Sequence, residues 1–259
     1  MGRIIRNRDT DKPRRVGRDH YPIRLPGIGR SNYLLILSLF IGILLATGCS
    51  STTVLLANFK NDTIGSPPAA AQPTGTVSLV PGAGIITVVA APRPELPVNN
   101  WCQIGHPTAQ SDLTQLTGKF TQFGIGSYGL LASMHIPSGS GVVTVQFEAS
   151  EESPLPFGDF LHLDFMPEGD VRIDDGSSRF GNFPRDKNFV LSVNLVITAT
   201  TATAEISLLG GEASGSTNVT IGSNVLALAR QFGAVSFHVG FLHKATFFVD
   251  DIIVTRKNQ

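Results

Sequence analysis

The chain has 259 residues, 42% of them hydrophobic and only 15% charged, with 27 Gly and 16 Pro. That balance excludes a coiled coil, a collagen-like chain and a highly charged disordered chain, and it favours frequent turns over long helices. The formal net charge of zero hides a split: residues 1–48 carry 9 Lys+Arg against 3 Asp+Glu, and residues 49–259 carry 11 against 17. The acidic larger part speaks against a nucleic-acid partner, because phosphates call for a basic surface.

Residues 1–32 read as a basic n-region, followed by an uncharged apolar run at 33–47 (YLLILSLFIGILLAT). The run falls short of the ~20 residues that a permanent membrane span needs. Its length fits the h-region of a signal segment, here residues 33–48, with the positive side held in the cytoplasm. The junction Leu45-Ala46-Thr47-Gly48-Cys49-Ser50 places small residues before a cysteine. It resembles the lipobox of bacterial lipoproteins. The resemblance implies a lipid on the Cys49 thiol, removal of the preceding peptide, and a short tether at 49–53. It also implies a protein of the cell envelope, held at the membrane with its globular part exported to the periplasm or cell surface. An uncleaved signal anchor is the other reading of the same run. The second cysteine, Cys102, follows Trp101 and reads as a buried apolar thiol. No CxxC or Cys/His set supports zinc.

Residues 54–259 read as one all-β domain. Pro81-Gly82-Ala83-Gly84 joins strands expected at 76–80 and 85–90, and residues 137–141 (PSGSG) join 128–136 to 142–149. In 142–149, Val143, Val145 and Phe147 share one face, while Val142, Thr144, Gln146 and Glu148 share the other. Pro167-Glu168-Gly169-Asp170 turns 160–166 into 171–174. Pairing Phe165 with Ile173 inside would set Asp164 opposite Asp174 and Met166 opposite Arg172. Residues 189–198 and 202–208 alternate cleanly, as do 235–239, where Ser236 and His238 fall on the outer face. A helix is expected over 225–232, with Val225, Leu228, Ala229 and Phe232 on one face and Ser223 or Asn224 as its cap. The Pro-rich stretches 62–75 and 91–100 read as loops within the domain. About a dozen strands at this spacing predict a two-sheet antiparallel sandwich.

Asn58-Phe59-Lys60-Asn61-Asp62-Thr63-Ile64-Gly65 opens this region, and residues 247–255 (FFVDDIIVT) close it. The pair resembles the two ends of jelly-roll domains of the concanavalin A-like and carbohydrate-binding-module type. The resemblance implies a jelly roll for residues 54–259. Such domains host lectins, glycosidases, lyases and non-enzymatic surface proteins, so the fold leaves function open. It also implies a structural calcium at Asp250 with Asn61 or Asp62, since calcium takes hard oxygen ligands. The strand pattern makes that locus conspicuous. Phe247, Val249, Asp251 and Ile253 would lie on one face and Phe248, Asp250, Ile252 and Val254 on the other. At least one carboxylate then interrupts a buried row, and it needs a cation, a donor or a proton.

Catalytic signatures are sparse. Gly124-Ile125-Gly126-Ser127-Tyr128-Gly129 matches GxGxxG, yet no strand–turn–helix unit surrounds it, so it reads as a turn. There is no G-x-S-x-G elbow and no HExxH. Glu148, Glu151 and Glu152 form the one acidic cluster that resembles a glycosidase carboxylate pair, but without its central Asp, and they read as a solvated strand end. Alternation puts His162, Asp164, Arg172 and Asp174 on one outer sheet face. That surface can hold a polar ligand, or it can be a plain solvated face. The Phe residues mostly fall at core parity, which argues against an open aromatic platform for sugars. The expected function is a non-catalytic domain that binds a ligand or glycan. A polysaccharide-degrading hydrolase or lyase and a purely structural envelope lipoprotein are the alternatives.

Overall fold

The computed structural model describes residues 50–92, 99–109, 112–121, 124–151, 158–174 and 178–257. The n-region 1–32, the apolar segment 33–48, Cys49 and Glu152 lie outside the described residues. Gly48–Gln259 forms one compact unit. In chain order its strands are β1 (Ser51–Ala57), β2 (Thr76–Val80), β3 (Ile85–Ala90), β4 (Asn100–His106) and β5 (Gln115–Lys119). Next come β6 (Gly126–His135), β7 (Val143–Ala149), β8 (Asp159–Phe165), β9 (Val171–Ile173) and β10 (Arg179–Phe180). Then follow β11 (Asn188–Ile197), β12 (Ala202–Leu209), β13 (Ser216–Thr220), the one-turn helix α1 (Leu226–Ala229), β14 (Phe232–Val239) and β15 (Ala245–Lys257). β1 begins at Ser51, inside the stretch read as a tether.

The domain is an all-β, two-sheet antiparallel sandwich of jelly-roll kind. The first sheet runs β13-β12-β11-β6-β15-β4-β3, with β1 paired to β15. The second runs β10-β9-β8-β7-β14-β5-β2. β2 and β3 therefore lie in different sheets, and the turn at 81–84 carries the chain from one layer to the other.

Alternation sets the core. In β11, Phe189, Leu191, Val193, Leu195 and Ile197 are all buried, while the residues between them are half-buried or exposed. The two inward faces meet through aromatic rings. Phe232 of β14 stands edge-on to Tyr128 of β6, to Phe120 and to Phe160 of β8. A second group joins Phe165, Phe183 and Phe189. Cys102 is a free thiol buried in this core, and burial pushes it far above the ordinary thiol range.

Four expectations are corrected. The β8–β9 hairpin pairs Phe165 with Val171, Asp164 with Arg172 and Leu163 with Ile173. The Met166 N–H donates to the Asp170 carbonyl at 2.9 Å, so only three residues form the loop. Gly169 supplies the positive φ of 97° that the tight turn needs. Both faces keep their residues, but every partner moves by two.

The second correction is in β15, which does not alternate throughout. Its register against β6 shifts between Asp250 and Ile253, and Asp251 takes a φ of 47°. This bulge changes the parity: Phe247 and Val249 are buried before it, Ile252 and Val254 after it. Third, the helix is a single turn, with no side-chain cap, and Phe232 belongs to β14. Fourth, β14 is buried on both faces. It sits in the middle of the second sheet, between β7 and β5. The GxGxxG residues 124–129 lead into β6, where the Tyr128 hydroxyl donates to the Gly124 carbonyl at 2.6 Å.

Candidate functional site

The face of the second sheet that points away from the core is polar. Its cross-strand register arranges three rows. Arg172, Asp164, Thr144, His238 and Gln115 form the first, running from β9 to β5. His162, Gln146, Ser236 and Thr117 form the second. Asp159, Glu148, Ala234 and Lys119 form the third. Period-2 alternation brings the first two rows to one side, because their neighbours Val145, Leu163 and Phe237 fill the core, while Asp159 joins the third row through a register shift between β7 and β8 at Phe147/Glu148.

A groove of about 450 Å³ opens over the β9 side of this face. Its floor includes Thr144, Gln146, His162, Asp164, Arg172 and His238, and Phe241 and His243 stand in its lining from the β14–β15 turn. Three of the four residues expected from sequence, His162, Asp164 and Arg172, are thus brought together. Asp174 is exposed beside them. Its Oδ1 accepts the His162 backbone N–H at 2.9 Å and lies 3.9 Å from that ring's Nδ1.

The polar contacts on this floor are partly made. The Thr144 hydroxyl donates to Asp164 Oδ1 at 2.6 Å. His162 Nδ1 lies 3.2 Å from Asp159 Oδ2, and this hydrogen bond holds the Asp159 carboxyl below its usual range. Deeper in, Gln115 donates to the hydroxyls of Thr117 and Ser236, each at 2.7 Å. Other polar atoms are buried without a protein partner among the described residues: Arg172 Nε, His238 Nε2 and Glu148 Oε2. Burial pushes Glu148 above the usual carboxylate range, opposed by the Ser236 hydroxyl.

Sequence reasoning missed three features. Alternation puts His238 on the outer face of its strand and Glu148 reads as part of a solvated strand end, yet the two are 8% and 3% exposed. Their neighbours on central strands cover them, and alternation does not distinguish a central strand from an edge. The sequence reading singles out no exposed ring, yet Phe241 is 68% exposed. The signal for it was local: Gly240-Phe241-Leu242 interrupts the alternation of β14. Of the acidic cluster, Glu151 is exposed and ion-pairs with Lys119 at 2.5 Å.

The locus expected to hold calcium is built differently from a cage. Asp250 is 1% exposed. The Phe59 N–H donates to its Oδ1 at 3.5 Å, and the Asn99 amide donates to its Oδ2. Burial and the Asp251 carboxylate push its carboxyl up to about 7. Asp62 turns its carboxylate to the Ala69 N–H at 3.0 Å, and Asn61 is exposed. The Asn100 amide donates to the Lys60 and Asp62 carbonyls at 3.3 and 3.0 Å. Protein donors thus occupy the oxygens, and this arrangement does not fit the converging oxygen ligands of calcium.

No family model and no curated protein matches the sequence. Solved structures do resemble the fold. The catalytic domain of a glycoside hydrolase family 131 protein from Coprinopsis cinerea aligns with a TM-score of 0.50 at 14% identity. The alignment covers 78% of this chain and 93% of that one. Lectin II from Ulex europaeus gives 0.46 at 12% identity, over 80% of this chain and 100% of that one. The CBM2 module of an evolved Dit protein of Lactobacillus casei BL23 phage J-1 gives 0.48 at 12%, over 82% and 98%. The chain shares the fold of the hydrolase domain; at this identity the likeness reaches no further.

Proposed function

We propose that this chain is a glycan-binding protein of the cell envelope, anchored to the membrane through Cys49, whose ligand lies in the groove of the second sheet. The carrying observation is the composition of that groove. One exposed ring, Phe241, stands beside buried and half-buried donors and acceptors. Sugars present an apolar C–H face and a rim of hydroxyls, and they match such a pairing of aromatic platform and dense hydrogen-bonding groups. Carboxylates outnumber the single Arg172, which favours a neutral glycan over an anionic one. The hydrolase fold that the chain shares is compatible with this use.

The test is a glycan array probed with the Gly48–Gln259 unit, followed by titration of the best hit. Phe241→Ala should weaken binding of that hit about tenfold, within the range of one stacking contact. An array without hits, or a hit indifferent to both Phe241→Ala and Asp164→Ala, overturns the reading.

A second reading has its own observation. Glu148 and Asp159 face each other across β7 and β8, and the first has a raised pKa while the second has a lowered one. Two carboxyls driven apart in this way suit an acid and its charged partner in glycoside cleavage. Release of reducing sugar from a bound polysaccharide, lost in Glu148→Gln with binding kept, would establish that reading.

A further inference from the structure

Resting on the glycan-binding reading, we infer that His238 Nε2 is a fixed hydrogen-bond acceptor that selects ligands by a free hydroxyl group. Three observations carry this. His238 lies in the first polar row, between Thr144 of β7 and Gln115 of β5, and it lines the groove. Its Nδ1 is 3.0 Å from the Val239 carbonyl oxygen. A carbonyl can only accept, so Nδ1 carries the proton, and the neutral ring offers Nε2 as a bare lone pair. Finally, the side chain is 8% exposed, and Nε2 has no protein partner among the described residues.

A buried acceptor of this kind discriminates by chemistry. A ligand hydroxyl donates to it. An ether or ester oxygen at the same place brings two lone pairs together, so a sugar methylated there is rejected. Discrimination by a buried polar group left unpaired is far stronger than discrimination by an apolar contact. Acid has the same effect from the protein side, because protonation turns Nε2 into a donor.

The groups that face the ring set where this happens. Asp164, Asp159 and His162 come from β8, Arg172 from β9 and His243 from the turn before β15. The facing residues of β7 and β5, Thr144, Gln146, Gln115 and Thr117, are uncharged. Burial lowers the ring pKa below the ordinary histidine value, against the pull of the Val239 carbonyl and Asp164. The neutral acceptor is thus the form present at neutral pH.

The experiment uses the full chain, with nitrogen-15 in its histidines. In the free protein the His238 signals should show a protonated Nδ1 and a bare Nε2 at neutral pH. The second arm titrates methyl glycosides of glucose, galactose, mannose and xylose, with their O-methylated forms. The best binder should shift the Nε2 signal, lose affinity about tenfold on methylation of one hydroxyl, and lose it similarly in His238→Phe. His238→Gln, which keeps an acceptor oxygen, should retain more affinity than His238→Phe. An Nε2-protonated ring overturns the inference, as does glycan binding unchanged in His238→Phe. If none of the glycosides binds, the glycan reading fails, and the tautomer still decides whether the acceptor is fixed.

Discussion

Asp250 shows how one residue concentrates conflicting demands. It closes the sandwich beside Phe59 and Asn99, where a carboxylate meets donors but little water. Its folded pKa of about 7 lies well above the unfolded value near ~3.9. A raised acid favours folding only while it holds its proton. Its contribution is therefore complete below about pH 4 and lost as pH rises through 7. At about 1.36 kcal/mol per pKa unit, up to roughly 3–4 kcal/mol is involved. Asp250→Asn should raise the melting temperature at pH 8, change it little at pH 4.5, and flatten the profile between them. Thermal unfolding followed by circular dichroism checks this. A variant as pH-dependent as the parent would remove the carboxyl from the account. The same melts, run in millimolar calcium and in chelator, should coincide, because protein donors already occupy the oxygens. A calcium-dependent rise that vanishes with the substitution would restore the ion.

The sequence made this residue conspicuous without revealing its solution. Both faces of 247–254 are apolar apart from the two Asp residues, so parity could not place either one. The bulge resolves the conflict by leaving Asp251 exposed, while Asp250, paired with Ser133 on the side away from the core, is buried under Phe59 and Asn99; a bulge leaves no mark in a strand that is apolar on both sides. His162, Asp164 and Arg172 were legible because edge-side strands β8 and β9 alternate cleanly. His238 was not, since a polar residue of a central strand reads like one on a solvated face.

Among the elements, β14 and β15 carry the greatest load. β14 joins the polar floor to the core: Ser236 and His238 look outward, while Phe232, Val235 and Phe237 look inward. Phe232 meets four other rings, two of them, Phe147 and Phe160, from the second sheet, and Tyr128 from the first. Truncation should open a cavity between the layers and cost about 3–5 kcal/mol, as for other buried Phe→Ala changes. Urea unfolding of Phe232→Ala should show a lower midpoint with an unchanged slope. A loss below 1 kcal/mol would mean that the sheets repack around the gap. β1 has a simpler task. It covers the second half of β15, from Ile252 to Lys257, while β4 covers the first half, so the longest strand is paired on both sides for most of its length.

At the scale of the whole molecule, β15 fixes a polarity. Ser51 pairs with Lys257 at one end of this 13-residue strand, and Phe241 and His243 precede Ala245 at the other. At ~3.3 Å per residue the two ends are about 40 Å apart. Only Ser50 separates Cys49 from β1. If Cys49 bears the lipid, Arg256 and Lys257 sit near the headgroups, where their charge suits an anionic surface, and Phe241 faces away from the bilayer. Two measurements follow. Cells expressing the chain should incorporate labelled fatty acid into it, and Cys49→Ser should abolish the label and block processing; label retained in the variant would refute the anchor. In liposomes, energy transfer to a headgroup acceptor should be efficient from a dye at position 257 and weak from one at 241. Equal transfer would lay the domain on its side and refute this orientation.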